Sequence, residues 1–226
     1  MSRRNYGQSC SVANALDRIG ERWSLLIVRE LSLGPLRFSE LARGVGGAPT
    51  DVLTKRLRDL EADGIVRRRT LAPPASGAAY ELTALGRELE LPLLELGRWG
   101  LHFFDAAQVS ALEARGLPNS LRVILRPPAG AAMTLQLRSE GHSFRLRVAN
   151  GWIDAERGEA HDPDLTLSGS PRDVIAALVG GEAGEEGLEI SGDREALETL
   201  RAMVILPERL REEALAEIAL GPVAQS

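Results

Sequence analysis

The spacing of apolar residues changes part-way along this chain of 226 residues. Up to about residue 104, apolar residues mostly recur at the three- and four-residue spacing of helices. In "MTLQLR" (133–138) and "SFRLRV" (143–148) they alternate with polar residues, as in half-buried antiparallel strands. We therefore expect two domains, 1–104 and 121–226, joined by a linker at 105–120.

Charge divides the chain in a similar way. Residues 1–104 carry 15 Lys and Arg against 12 Asp and Glu, whereas residues 105–226 carry 12 against 20. The overall net charge of -5 therefore combines a basic first half with an acidic second half. Opposite signs in the two halves favour two domains with different partners.

The sequence predicts a cytoplasmic protein without membrane contact. No apolar run approaches the roughly 18 residues that a membrane-spanning helix needs. The arginines in "MSRRNYGQSC" are not followed by an apolar segment, so we do not expect a secretory signal. Cys10 is the single cysteine, which excludes an internal disulfide and favours a reducing compartment.

The first half reads as helices around one short hairpin. Apolar spacing and glycine stops predict helices over 11–20, 21–34, 37–47 and 49–63, strands over 65–71 and 79–83, and a long apolar helix over 84–104 with a kink at Pro92.

The helix at 49–63 has two distinct sides. Its apolar side carries Val52, Leu53, Leu57 and Leu60, and its polar side carries Thr50, Asp51, Thr54, Lys55 and Arg58. A helix-turn-helix places such a polar side in the DNA major groove. Arg56 projects near the apolar side, so we expect it to pair with a carboxylate of the same domain.

Three consecutive arginines, Arg67, Arg68 and Arg69, follow on the predicted hairpin. Alternation along a strand lets at least two of them project towards solvent, where they can meet phosphates. An amphipathic surface helix beside a solvated arginine cluster would show the same features one by one. Their order along the chain favours DNA binding.

Four motifs in this half resemble the HxlR-type winged helix-turn-helix regulators: "GERWSLLIVREL", "GPLRFSEL", "VLTKRLRDLEADGIVRR" and "YELTALGRELELPLLELGRWG". The resemblance covers about residues 8–104. It implies a homodimeric bacterial transcription factor that binds double-stranded DNA, with a recognition helix at 49–60 and a wing at 65–83. The helix at 84–104 and the first helix would form the dimer interface. Arg37, in the second motif, completes the expected DNA-binding set.

Two further points follow from that resemblance. Ala48-Pro49 stands where the family usually has a hydrophobic residue followed by Ser. Cys10 lies before the first helix, where several relatives carry a reactive cysteine and where a helix N-terminus lowers a thiol pKa. A redox sensor and a small buried packing residue are both open interpretations of Cys10.

We do not expect an enzyme, a cofactor or a metal site. The three histidines, His102, His142 and His161, are far apart in the sequence, and no pair has metal-ligand spacing. The chain also lacks the G-x-S-x-G motif of a nucleophile elbow.

The second half resembles the sterol-carrier-protein-like domain over about residues 108–206. The marks are the Asn150-Gly151 turn, then "PDLTLSG" and "GLEISGD", each leading into a helix. The resemblance implies a five-stranded sheet and helices that enclose an apolar tunnel for a lipid or another apolar ligand. The expected lining residues are Leu135, Leu137, Phe144, Leu146, Trp152, Ile175, Leu178, Leu197, Leu200 and Met203. Alternatively, side chains fill the tunnel and the domain only dimerises or braces the DNA-binding domain.

Together these observations predict a mainly α winged helix-turn-helix domain followed by an α+β sterol-carrier-like domain. The favoured function is a sequence-specific, dimeric transcriptional regulator under the control of a small apolar ligand. The main alternative is a lipid or hydrophobic-ligand carrier whose helical half mediates protein contacts.

Overall fold

The computed structural model describes residues 5–71 and 77–219. It contains two compact units, Met1–Leu93 and Leu94–Ser226. The division falls inside the apolar helix predicted at 84–104 rather than in the segment predicted as a linker, 105–120. Much of that segment is helical and belongs to the second unit.

The first unit is a set of helices with a two-stranded antiparallel hairpin. Its elements are α1 (Ser11–Ile19), α2 (Ser24–Leu31), α3 (Phe38–Val45), α4 (Thr50–Ala62), β1 (Val66–Leu71), β2 (Gly77–Leu82) and α5 (Ala84–Arg87). Most of the loop predicted between the two strands, residues 72–76, lies outside the described residues.

Helix α2 begins at Ser24, three residues later than predicted. Trp23 precedes it with a φ of 79°, a left-handed backbone that a helix cannot contain. Helix α4 begins directly after Pro49 and is followed by Gly64, whose φ of 71° ends helices readily. The observed bounds of α4 therefore agree closely with the predicted 49–63.

The predicted helix at 84–104 is interrupted by a turn at residues 88–89. Helix α6 (Glu90–Gly100) follows that turn and continues into a 3-10 turn at Leu101–Phe103. Pro92 has no N–H to donate to the Glu88 carbonyl, and its ring crowds that carbonyl. The break therefore comes about one turn before the proline, whereas the sequence predicted a kink at it.

The second unit joins a mixed sheet to several helices. After α6 its elements are α7 (Ala106–Ser110), α8 (Leu117–Ile124), β3 (Met133–Ser139), β4 (His142–Ala149), β5 (Trp152–Arg157), β6 (Leu165–Ser168), α9 (Pro171–Val179), β7 (Glu189–Gly192), α10 (Arg194–Ala202) and α11 (Glu208–Ala219).

Among the described residues, five strands form one sheet in the order β5-β4-β3-β6-β7. Strands β3 and β6 pair in parallel, and the other neighbours are antiparallel. Alternate residues of β4 are buried, while Arg145 and Arg147 between them are exposed, as the period of two predicts. In β3 the pattern is broken by Gln136, which is buried although its neighbours Leu135 and Leu137 are buried too. The second half is therefore a β-rich region with helices.

Within the described residues, no helix is both long enough and apolar enough to cross a membrane.

Candidate nucleic-acid interface

Helix α4 is amphipathic, with its buried residues on one side and its exposed residues on the other. Leu53, Leu57 and Leu60 are at most 1% exposed and belong to the core of the first unit. On the other side Thr50, Asp51, Lys55 and Arg58 are exposed. Apolar burial thus fixes which residues α4 exposes, and four of the five residues predicted for its polar side are among them. Thr54 is half-buried, and its hydroxyl donates to the Thr50 carbonyl at 2.7 Å.

Asp59 holds two cations of this helix. Its Oδ2 atom lies 2.9 Å from Lys55 Nζ and 3.2 Å from a terminal nitrogen of Arg56. Arg56 also lies 3.9 Å from Glu21, and its side chain is only 13% exposed. The expected pairing of Arg56 within its domain is confirmed. Lys55, in contrast, must leave Asp59 or share it in order to reach a nucleic acid.

Arg58 differs from its neighbours on α4. It is exposed, and no carboxylate in residues 5–71 or 77–219 lies within 4.0 Å of its guanidinium. Its donors can therefore reach a partner without first breaking an ion pair.

The three consecutive arginines lie on strand β1, and all three are exposed. Arg67 and Arg69 both bind Glu81 of β2, at 2.7 Å and 3.0 Å. Arg68 points to the other face, where it lies 3.6 Å from Glu61 and its guanidinium carbon is 5.6 Å from the centre of the Tyr80 ring. The sequence predicted solvent-facing arginines but not that carboxylates would hold them.

Glu81 is the functional candidate that sequence reasoning missed. Burial alone would raise the pKa of its carboxyl group. Hydrogen bonds from Arg69 and Arg67 outweigh burial, so the pKa lies below its ordinary value. Strand register could have revealed this residue, because Arg67 lies directly opposite Glu81 in the hairpin.

Arg37 is exposed and immediately precedes helix α3. Its backbone N–H donates to Glu40 Oε2 at 2.7 Å, which caps the start of that helix. The backbone of Arg37 is therefore held at the start of α3, and we predict that its side chain contacts DNA from this position.

Comparison with known proteins agrees with this geometry. The model of the HxlR-like helix-turn-helix family matches residues 18–108. The HTH-type transcriptional regulator YtcD of Bacillus subtilis is 37% identical over 125 residues, which are 54% of this chain and 98% of YtcD. An HTH-type transcriptional regulator of Synechocystis sp. is 33% identical over 115 residues, 50% of this chain and 84% of that protein.

This chain belongs to the HxlR-like helix-turn-helix family. Among solved structures, the redox regulator HypR in its oxidized form is 36% identical and has a TM-score of 0.39, with 43% of this chain and all of HypR covered. The family match ends at residue 108, so the sterol-carrier-like interpretation of the second half stays a prediction.

In this HxlR-like protein, Cys10 lies directly before α1 and is exposed. The backbone N–H groups of Ala13 and then Val12 lower the pKa of its thiol. Its exposure in the single chain disagrees with a buried packing role.

Apolar side chains remain exposed on the segments expected to form the dimer interface. Leu96, Trp99 and Phe103 are 48%, 61% and 69% exposed. Trp99 and Phe103 stack edge to face, with ring centres 4.9 Å apart. Leu85 and Leu91, and Val12 and Leu16 of α1, are also exposed. Leu89 and Leu93 lie in the same predicted helix, but they pack against the core of the first unit.

The predicted ligand-lining residues form the core of the second unit. Nine of the ten are at most 7% exposed, and Trp152 is half-buried. A cavity that admits water would leave accessible area on the side chains around it, so these side chains do not surround a water-filled cavity in this conformation.

Sequence reasoning did not anticipate Arg122, which lies beside this core and is 2% exposed. It donates to the Ile153 carbonyl at 3.1 Å, and its guanidinium carbon is 5.3 Å from the centre of the Trp152 ring. In the described part of the chain, no group of three or more His, Cys, Asp or Glu residues is placed to hold a metal ion.

Proposed function

We propose that the protein is a homodimeric transcriptional regulator that acts in the cytoplasm and binds double-stranded DNA sequence-specifically. The observation that carries this proposal is helix α4. Its apolar side is buried and its polar side is exposed, in a chain that belongs to a helix-turn-helix family. In that architecture the exposed side of the second helix contacts base edges in the major groove.

We assign a role to each proposed DNA-binding residue from its position in the first unit. Arg58 is the main candidate for a base contact, because arginine binds guanine through two hydrogen bonds. Thr50, Asp51, Thr54 and Lys55 contact neighbouring bases or the sugar-phosphate backbone. A second set, formed by Arg37, Arg67, Arg68 and Arg69, contacts phosphates and supplies affinity that is independent of sequence.

Two chains would associate through their exposed apolar surfaces. Leu96, Trp99 and Phe103 expose a continuous apolar face, and a water-soluble chain gains free energy by covering such a face with a second copy. A twofold axis would place two α4 helices about 34 Å apart, the spacing of successive major grooves.

The second unit is proposed to bind a small apolar ligand that modulates the DNA-binding state. Because nearly all of its candidate lining residues are buried, a ligand has to displace some of them in order to enter. Arg122 beside Trp152 offers a polar group for a ligand with one charged or polar end. No observation favours the alternative in which the whole protein is a carrier.

The decisive experiment is a selection of DNA fragments from the host genome with the purified full-length chain, followed by affinity measurements over a range of salt. We expect a common sequence with two half-sites about 10 base pairs apart, and affinity that falls as salt rises. Binding without sequence preference, or no binding, would refute sequence-specific regulation.

A further inference from the structure

Glu81 joins the two wing arginines that share one face of the hairpin. Its Oε1 atom accepts a hydrogen bond from Arg67 Nε at 2.8 Å and lies 2.7 Å from Arg67 Nη2. Its Oε2 atom accepts one from Arg69 Nη1 at 3.0 Å. Arg67 lies opposite Glu81, and Arg69 lies two residues along the same strand, so all three side chains project from one face.

The carboxylate lies beneath the arginines that it binds. Its side chain is 8% exposed, whereas those of Arg67 and Arg69 are 66% and 56% exposed. A guanidinium has five N–H donors, and each of these two keeps donors that Glu81 does not use. Both arginines can therefore donate to a phosphate while they remain bound to Glu81.

Glu81 also reduces the charge that this face presents. Two guanidinium groups and one carboxylate have a net charge of +1, whereas two unpaired arginines would have +2. Because the pKa of Glu81 is lowered, the carboxylate stays ionised at neutral pH. Affinity for duplex DNA depends on how many phosphates the cations neutralise, so one fewer positive charge weakens binding to every sequence.

We propose that Glu81 is a positioning residue that limits the sequence-independent DNA affinity of the wing by holding Arg67 and Arg69 as one pair. The inference rests on the proposed function and deepens it. Specificity is a difference between two binding free energies, so a term that is the same for every sequence cancels from it. Glu81 therefore lowers the affinity for all duplex DNA and leaves the preference for an operator to the base contacts of α4.

The test compares the full-length parent with Glu81→Gln, which keeps the shape of the side chain and removes its charge. Affinity is measured for a selected fragment and for an unrelated duplex of equal length, over a tenfold range of salt. Glu88→Gln is the matched control. It removes the same charge from the same unit, but Glu88 is exposed and forms no ion pair with any described residue.

Glu81→Gln should bind both duplexes more tightly than the parent at low salt. The slope of log affinity against log salt should steepen by about 0.9, the value for one more neutralised phosphate. Over the tenfold range the variant then loses about eightfold more affinity than the parent does. Its preference for the selected fragment should stay at the parental level, because both duplexes gain the same factor, and Glu88→Gln should keep the parental slope and affinity.

The remaining outcomes separate the inference from the proposed function. If folded Glu81→Gln binds with unchanged or weaker affinity and the parental slope, Glu81 is a structural residue and the inference is overturned. Specific binding by the parent would still preserve the proposed function. A parent that binds no duplex would overturn both. If Glu81→Gln does not fold, Glu81→Met has a similar volume and no polar group to bury, and the same changes are expected of it.

Discussion

Ion pairs decide which cations of α4 and β1 can contact a partner without first leaving a carboxylate. Asp59 holds Lys55 and Arg56, and Glu81 holds Arg67 and Arg69. These pairs set the positions from which Lys55, Arg67 and Arg69 can contact a partner. Arg58 differs, because no carboxylate of the described residues restrains it.

Replacing Arg58 by Ala should cost about 1–3 kcal/mol at the operator and relax the sequence preference at one base pair of each half-site. The physical reason is the loss of a two-pronged contact to one base. Arg147→Ala, on the exposed face of the second unit's sheet, is the control and should leave binding unchanged. Fragment selection with each variant gives the measurement. Equal loss of affinity for all sequences would instead place Arg58 on phosphates.

The thiol of Cys10 should react at a lower pH in the folded chain than in the unfolded chain. The backbone N–H groups of Ala13 and Val12 stabilise the thiolate, so its pKa is depressed on folding and the reactive form appears earlier as pH rises. Alkylation rates measured against pH, with and without denaturant, test this. Any label reports Cys10, because it is the single cysteine, and Cys10→Ser provides the blank. Superimposable pH profiles would contradict the shift.

At the scale of elements, the sequence predicted most of the helices and strands because apolar spacing and glycine stops act locally. It did not predict where α2 begins, since the left-handed backbone of Trp23 depends on packing rather than on residue type. It placed the break before α6 at Pro92, although the missing hydrogen bond belongs to the carbonyl four residues earlier.

In the candidate interface, too, some residues could be predicted from the sequence and others could not. The exposed side of α4 followed from the period of its leucines, so its residues could be named from the sequence. The Glu81 pairs depend on the register of β1 with β2, which spacing alone does not fix. Likewise, the burial of Arg122 depends on α8 lying beside β5, a contact between residues distant in the sequence.

Replacement by alanine should affect the free energy of unfolding differently at two glycines near α6. A Cβ atom at Gly86 would lie 2.1 Å from the Ile65 carbonyl oxygen, so Gly86→Ala forces backbone to move and should destabilise the protein by about 1–3 kcal/mol. At Gly100 nothing lies within 4 Å, so Gly100→Ala should be neutral or stabilise by up to about 1 kcal/mol. Denaturant unfolding of both variants checks the pair. Equal stabilities would show that the α5 contact with Ile65 is looser than described.

Dimerisation should depend on the apolar face of α6. Trp99 is 61% exposed and stacks on Phe103, so Trp99→Glu places a charge in the middle of the proposed interface. We expect this variant to sediment as a monomer at micromolar concentration while the parent sediments as a dimer. Leu215→Glu, at another exposed apolar residue on α11, is the control and should remain dimeric. A parent that is itself monomeric would refute the proposed dimer.

At the scale of the whole molecule, α6 is the element that the division between the units crosses. Its second part is tied into the second unit: Arg98 donates to the Val123 carbonyl at 3.1 Å and the Leu125 carbonyl at 3.3 Å, at the C-terminal end of α8. The exposed face proposed for dimerisation is on this same part of the helix. A change in the packing of α8 is therefore positioned to alter the dimer surface.

If an apolar ligand regulates the protein, its affinity must depend on whether operator DNA is bound. A ligand shifts an equilibrium only by its differential affinity for the two states, and the coupling is reciprocal, typically 5- to 150-fold for about 1–3 kcal/mol. We expect a fluorescent fatty acid to bind the full-length dimer with affinities that differ by such a factor with and without operator. Operator affinity should change by the same factor when the fatty acid is saturating.

A variant with a larger side chain among the proposed lining residues of the second unit provides the control for this coupling. Leu146 is fully buried among the proposed lining residues, so the larger side chain of Leu146→Phe should hinder ligand entry, at a cost of about 1–3 kcal/mol in stability, while it leaves α4 and the wing unaltered. It should bind operator like the parent but show no response to the fatty acid. Equal ligand affinities with and without operator would mean that the second unit braces the DNA reader and does not regulate it. Absence of binding, checked by native mass spectrometry for co-purified apolar molecules, would support the same bracing role, because the lining residues would then stay buried as they are in this conformation.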